Sequence, residues 1–395
     1  MHMVRRSFWV SMVEQSWEEK TVVWLAGVRR VGKSFLCRQL HDIEYFDCEL
    51  PRVRRAMEDD PQAFLTALRG RRIAIDDVHR LSNPSELLKI AADHYPDVRV
   101  LATGSSTPAA SGKFRDTLTG RKRDLCLTPM CLADLTDFGQ PDLRYRFQRG
   151  GLPPFFMADR FPERDLQEWI DSYWSRDIQE LFRLERRASF QKLLELLLAQ
   201  SGGIFEATKF AAPCEASRTT IANYLKVLEA TYVVHVIRPF HTHRPAEIVA
   251  APKVYAFDTG FVCYYRGWNE LRREDLGILW QHFVLNEIMA ATQTRRIGYW
   301  RNKRGHEVDF VIERAPGNTI AIECKWSDRD FDPASMAAFR QNYPGGLSVV
   351  VCHDVDRPYL RNLGQTQVRF ESLASLIGLL KAGSASTLPP GPDRA

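Results

Sequence analysis

The sequence predicts an α/β protein in three parts: a largely parallel sheet with helices, a helical middle, and a mixed α/β end. Three observations carry this. Over residues 1–150 short apolar runs of strand length alternate with helix-like stretches. A Gly/Pro cluster at Phe147–Phe156 then gives way to apolar residues at three and four spacing. Beyond residue 246 strand-length runs return.

In chain order, the first strands fall at Thr21–Ala26, Ile43–Asp47, Arg72–Ile75, Val98–Ala102 and Leu125–Leu127, with helices such as Ser34–Leu40 and Pro61–Leu68 between them. This is residues 1–150, the first expected domain. In residues 151–245, Trp169, Ile170, Tyr173 and Trp174 give one apolar helix face, and Phe190, Leu193, Leu194, Leu197 and Leu198 another, until Ser201-Gly202-Gly203 breaks the pattern. Residues 204–240 then read as a helix-turn-helix. Ser217 is its N-cap, Ile221, Tyr224, Leu225 and Leu228 form its buried face, and Tyr232–Pro239 is a wing strand. Residues 246–380 hold a helix at Leu279–Ala291 and strands at Ile297–Trp300, Glu307–Glu313, Thr319–Lys325 and Leu347–Val351. Residues 381–395 are small and Pro-rich, an expected disordered tail.

The composition sets limits. With 395 residues, 45% hydrophobic and 26% charged, the chain has material for two to four domains of roughly 100–200 residues. A net charge of +5 is too mild for a dedicated nucleic-acid scaffold. No apolar run reaches the roughly 18 residues of a membrane span, and the N-terminus lacks the pattern of a signal peptide. None of the eight cysteines forms a CxxC pair, so neither zinc nor a disulfide framework is suggested, and a reduced cytoplasm fits.

The sharpest motif is Gly27-Val28-Arg29-Arg30-Val31-Gly32-Lys33-Ser34, a full GxxxxGK[ST] (Walker A) match, with Phe35 following. It stands between a buried-strand run and a helix. Its amides would cradle phosphates, Lys33 would reach the β and γ phosphates, and Ser34 would ligate Mg²⁺. Such a site needs an acidic partner at a neighbouring strand end. Asp76 and Asp77, closing Arg72-Ile-Ala-Ile, supply it: Asp76 for the Mg²⁺ shell, Asp77 as the base that activates water. Small hydroxyl residues at the end of Val98–Ala102, Ser105 among them, would contact the γ-phosphate or position that water.

Together GVRRVGKS, IAIDD, VLATGSS and Leu118–Arg121 resemble, in order, the core motifs of a prokaryotic AAA-type ATPase family with a C-terminal domain of unknown function. The resemblance runs on through GGLPPFF, Tyr173–Ile178, NYLKVLEATYVVHVIRP, Lys253–Gly260 and EVDFVI…AIECK. It implies a RecA-like P-loop core, a helical and winged-helix middle, and a C-terminal restriction-endonuclease-like, PD-(D/E)xK, fold. It gives Ser105 the role called sensor 1. It also places Arg121 and Arg176 at positions where an arginine would stabilise transition-state charge, in cis or across a subunit boundary; each could equally be an ion-paired surface residue. Two departures stand out. The family has Asp-Glu where this chain has Asp76-Asp77, which implies slow hydrolysis, and Gln281 stands where a carboxylate is expected.

Near the end, Asp309 and Glu323-Cys324-Lys325 have the form of a D…ExK site, in which two carboxylates hold Mg²⁺ and the lysine activates water. Strand alternation would put Asp309 and Glu323 side by side. Upstream, Arg295, Arg296, Arg301, Lys303 and Arg304, interleaved with Tyr299 and Trp300, read as a phosphate-contact patch or as a solvated face. The functional expectation is an ATP- and Mg²⁺-binding protein, a slow ATPase whose nucleotide state regulates the regions downstream. Two versions stand: one acts on double-stranded DNA, the other is a switch or scaffold that binds a protein partner through a degenerate nuclease fold. No membrane partner is expected, and the oligomeric state stays open.

Overall fold

β1 (Val22–Ala26) is buried along its whole length, as a strand flanked on both edges and both faces must be. Its sheet adds β2 (Ile43–Asp47), β3 (Arg72–Asp76), β4 (Arg99–Gly104) and β5 (Lys122–Cys126) in the order β2-β3-β4-β1-β5, and every pairing is parallel. All five strands therefore end on one edge, where Gly27, Asp76 and Gly104 gather. The structure is a computed structural model that describes residues 4–107, 118–160, 163–182, 184–241, 251–364 and 366–382. The expected tail falls almost wholly outside the described residues.

The chain packs as two compact units, Met1–Leu196 with Phe210–Val234, and Leu197–Lys209 with His235–Ala395. In the first, Ser7–Glu19 is a helix that buries Trp9, Val10, Val13 and Trp17, an element the sequence reading did not single out. Helices also cover Pro51–Asp59 and Pro84–His94. After Glu163–Tyr173 the chain makes a π-helical turn at Trp174–Ile178. Ser217 caps Arg218–Ala230 as expected, its Oγ accepting from the Thr220 N–H at 3.1 Å, and Ile221, Tyr224, Leu225 and Leu228 are buried.

The second unit holds a nine-stranded sheet. Its strands are β6 (Gly203–Ile204), β7 (Val234–Pro239), β8 (Lys253–Ala256), β9 (Gly298–Arg301), β10 (Glu307–Ala315), β11 (Asn318–Lys325), β12 (Gly346–Cys352), β13 (Tyr359–Leu363) and β14 (Thr366–Glu371). The order is β13-β14-β12-β11-β10-β9-β7-β8-β6. The expected wing strand, β7, is thus a member of this sheet, pairing parallel with β9. On its other side it neighbours β8, the next strand in the chain. Tyr299 and Trp300 are buried, and Trp300 packs with Val308, Met336 and Phe339. The aromatic part of the expected phosphate-contact patch is therefore core, leaving only charges at the surface. Among the described residues no helix is long and apolar enough to cross a membrane.

Candidate functional site

The loop after β1 can be built only with glycine at two positions. Gly27 has φ +152°, and a Cβ there would lie 2.5 Å from the Leu127 carbonyl oxygen. Gly32, at φ +105°, precedes the helix Lys33–Cys37 in a left-handed conformation that a side chain would strain. Between them the chain folds tightly enough that the Lys33 Nζ reaches back to the carbonyls of Gly27 (2.8 Å) and Val28 (3.1 Å). Burial pulls this ammonium below its ordinary value, while Asp77, Asp177 and Asp76 oppose the pull. Ser34 is exposed, and with Lys33 and Phe35 it borders a cavity of about 540 Å³.

Because β4 lies between β1 and β3, its tip meets the acidic end of β3. Thr103, wholly buried, donates its hydroxyl to Asp76 Oδ1 at 2.5 Å and accepts from the Asp77 N–H at 2.9 Å. Tyr45, from β2, donates to Asp76 Oδ2 at 2.5 Å. Asp76 is thus held from two strands. Asp77, at φ +52°, turns the other way and borders the cavity together with Lys33 and Ser105. Burial pushes the Asp77 carboxyl up to about 6, with Lys33 pulling it down. Sequence reasoning assigned the β4 tip to Ser105. The structure adds Thr103 as the residue that ties the two aspartates in place.

Ser105 Oγ is buried and makes no hydrogen bond among the described residues. An orphaned hydroxyl at the phosphate end of a cavity is what a bound oxyanion or water would satisfy. Oxygen donors are at hand: Ser34 and Asp77 border the cavity, and Asp76 precedes Asp77 at the end of β3. That set suits a hard cation such as Mg²⁺.

The two arginines singled out from the sequence part company. Arg121 precedes β5, whose first residue, Lys122, pairs with Val22 at the start of β1, so it stands at the edge opposite the phosphate loop. There it binds both oxygens of Asp93, at 2.8 and 3.0 Å. Arg121 cannot reach this chain's own loop, which removes the in-cis role. Arg176 does border the cavity and is held by Glu49 Oε1 at 3.2 Å.

Two further residues escaped the sequence reading. Arg6 is fully buried. It binds Asp134 through Nε (2.8 Å) and Nη2 (2.7 Å), and its Nη1 donates to the carbonyl of Val31 inside the loop (2.8 Å). No local motif marks it, because its partners lie 25 and 128 residues away. Arg6→Met should cost about 3–5 kcal/mol, since Asp134 would be left buried without its cation. A loss of unfolding free energy in urea below about 0.5 kcal/mol, the usual size of a surface substitution, would contradict this. The second residue is Asp177, on the π-helical turn. It is buried at the cavity wall, with Oδ2 4.0 Å from Arg29 Nη1.

In the second unit β10 and β11 pair Phe310 with Ile322, which sets Asp309 beside Glu323. Asp309 Oδ1 accepts from the Gln281 amide at 2.6 Å and Oδ2 from the Cys324 N–H at 2.8 Å. Burial and the Asp309 charge push the Glu323 carboxyl up to about 8, against the pull of Lys325, whose Nζ is 3.2 Å from Oε2. Among the described residues no three His, Cys, Asp or Glu side chains group as metal ligands. The sequence-predicted metal pair Asp309 and Glu323 is brought together, with Gln281 hydrogen-bonded to the first and Lys325 paired with the second.

A buried serine–histidine pair in the same unit is structural. His282 Nδ1 donates to the Ile278 carbonyl (2.7 Å), so Nε2 accepts from Ser201 Oγ (2.6 Å), which itself accepts from the Ala256 N–H. Burial pulls the ring down to about 4, and every polar atom of the pair is engaged.

Residues 19–136 match the family model of an AAA domain. Residues 140–272 and 276–374 match two domains of unknown function, DUF8612 and DUF4143. Uncharacterised proteins of Mycobacterium tuberculosis and Mycobacterium bovis are each 28% identical over 316 residues, covering 77% of this chain and 70% of theirs. Among solved structures, the Walker-type ATPase of Pyrococcus abyssi covers 67% of this chain and 96% of its own at 15% identity and a TM-score of 0.43. The δ protein of the Bacillus subtilis DNA clamp loader covers 56% and 88% at 12% identity and a TM-score of 0.25. The AAA match thus spans the parallel sheet and the loop Gly27–Ser34.

Proposed function

We propose that this ATPase domain binds ATP with Mg²⁺ and hydrolyses it slowly, and that the second unit is a nuclease-like fold used for binding or regulation rather than for cutting. The observation that carries the first half is that Lys33, Asp77 and Ser105 border one cavity beside the glycine-bounded loop. In this reading the amides of Gly27–Ser34 hold the phosphate chain, and Lys33 leaves its own carbonyls for the β and γ phosphates. Ser34 and Asp76 would hold Mg²⁺, which neutralises developing charge. Asp77, whose carboxyl lies nearer neutrality than an ordinary aspartate's, accepts the proton of the attacking water. Ser105 orients that water or the γ-phosphate. Arg176 is placed for transition-state charge if Glu49 releases it, and Arg121 could act only on a neighbouring subunit.

The second half is supported by the mixed sheet, antiparallel across β9-β10-β11 and parallel across β11-β12-β14, with Asp309 and Glu323-Cys324-Lys325 on adjacent strands. The Gln281 amide donates to Asp309 where the family resemblance leads one to expect a further carboxylate for a cation. Plasmid nicking in Mg²⁺ should therefore be at background for the wild type and identical in Lys325→Ala. Nicking by the wild type that disappears in the variant would contradict the proposal. Phosphate release with and without double-stranded DNA tests the remaining alternative. Stimulation favours a DNA-acting machine, and indifference favours a switch that binds a protein partner.

A further inference from the structure

We infer that Asp177 is a counter-charge of the phosphate loop: its carboxylate competes with the γ-phosphate of a bound nucleotide for Arg29 and Lys33. Binding then displaces the turn that carries it. This rests on the nucleotide reading above and adds to it a residue and a moving part.

The argument begins with position. Asp177 is 4% exposed, and it forms the cavity wall together with Arg29 and Lys33. Its Oδ2 is 4.0 Å from Arg29 Nη1, and its charge acts on the Lys33 ammonium alongside those of Asp77 and Asp76. Asp77 and Asp177 therefore both line the cavity beside Lys33, and only the first has a part in the chemistry proposed above. A γ-phosphate there would meet Asp177 as a like charge in a poorly solvated space, which both groups resist. Arg29 and Lys33 can serve the carboxylate or the phosphate, but not both at full strength.

Its support on the chain gives that competition an outlet. Asp177 is carried not on a regular helix but on the five-residue π-helical turn Trp174–Ile178. Such turns hold one residue more than the α-helix allows and recur at functional sites. A one-residue slip back to α geometry rotates a side chain by about 100°. The helix that leads into the turn is tied at its middle and at its C-terminal end. Trp169 Nε1 donates to the Arg29 carbonyl at 3.0 Å, and Tyr173 hydrogen-bonds Thr231 Oγ1 at 2.6 Å, just past the helix Arg218–Ala230. Movement of the turn thus has a path, within the first unit, from the phosphate loop to that helix.

The test is calorimetric titration of a non-hydrolysable ATP analogue into the full-length wild type, Asp177→Asn and Asp177→Glu, each in Mg²⁺ and in EDTA. Removing the competitor should tighten binding at least about fivefold in Asp177→Asn, in both buffers, and Asp177→Glu should stay near the wild type. Unaltered or weaker binding in Asp177→Asn overturns the inference, and so does a loss confined to Mg²⁺, which would make Asp177 a metal ligand. Should Asp177→Asn not fold, the wild type still decides. Titration with the analogue should change tryptophan emission in a way absent from Trp174→Phe, and an emission change identical in both proteins overturns the inference. No heat in the wild type defeats the nucleotide reading itself, whereas heat in the wild type with Asp177→Asn unaltered defeats this inference alone.

Discussion

Replacing Lys33 with alanine should weaken binding of a labelled ATP analogue by roughly a hundredfold while the fold survives. A hydrogen bond to a charged group contributes about 1.5–3 kcal/mol, and the upper end of that range is a hundredfold in affinity. Lys33 is placed to make such bonds because the loop geometry, not a partner side chain, holds its Nζ, through the carbonyls of Gly27 and Val28. Phosphate oxygens are better acceptors than those carbonyls, so the exchange favours the ligand. Little fold stability is expected to depend on the residue, since its ammonium is disfavoured by burial. Equal thermal midpoints with unequal affinities are therefore the expected pair of results. Unchanged affinity would contradict the role given to the loop.

Asp77→Asn should leave analogue binding within a few fold of the wild type and lower the rate of phosphate release by about 10²–10⁴, the range for removing a general base. The separation of the two effects is the point, because Asp77 borders the cavity while Asp76 is bound behind it by Thr103 and Tyr45. Asp77→Glu should raise turnover, since one more methylene carries the carboxylate further into the cavity. A loss or no change in Asp77→Glu would show that the shorter side chain is not what limits the rate. Turnover by Asp77→Asn equal to that of the wild type would remove the residue from the chemistry.

What the sequence made legible follows from how local each signal is. β1, β3 and β4 were read within a residue or two, because a fully buried strand leaves an unbroken apolar run. The loop, Asp76, Asp77 and the Asp309–Glu323 pairing were legible for the same reason: spacing along a strand fixes where side chains fall. Ser217 announced its helix because capping is a contact between residues three apart.

The misses were non-local. Arg6 acts through Val31 and Asp134, and nothing near residue 6 reveals either. Asp177 sits next to Arg176, which was noticed, but its approach to Arg29 depends on a π-helical turn that periodicity does not register. Tyr232–Pro239 reads as a strand from its composition, but its parallel pairing with β9 is a long-range contact that composition does not announce. Arg121 looked like a candidate by order along the chain, yet the parallel pairing of β1 and β5 puts it at the far edge. Tyr299 and Trp300 read as part of a surface patch because basic residues surround them in the sequence, and the sheet buries them.

Calorimetric titration of ATP, and separately GTP, into the purified wild type with Mg²⁺ tests the central claim most directly. Saturable heat with at least one of the two, at one site per chain and lost in Lys33→Ala, is the predicted result. Well-folded protein that gives no heat with either nucleotide would contradict it.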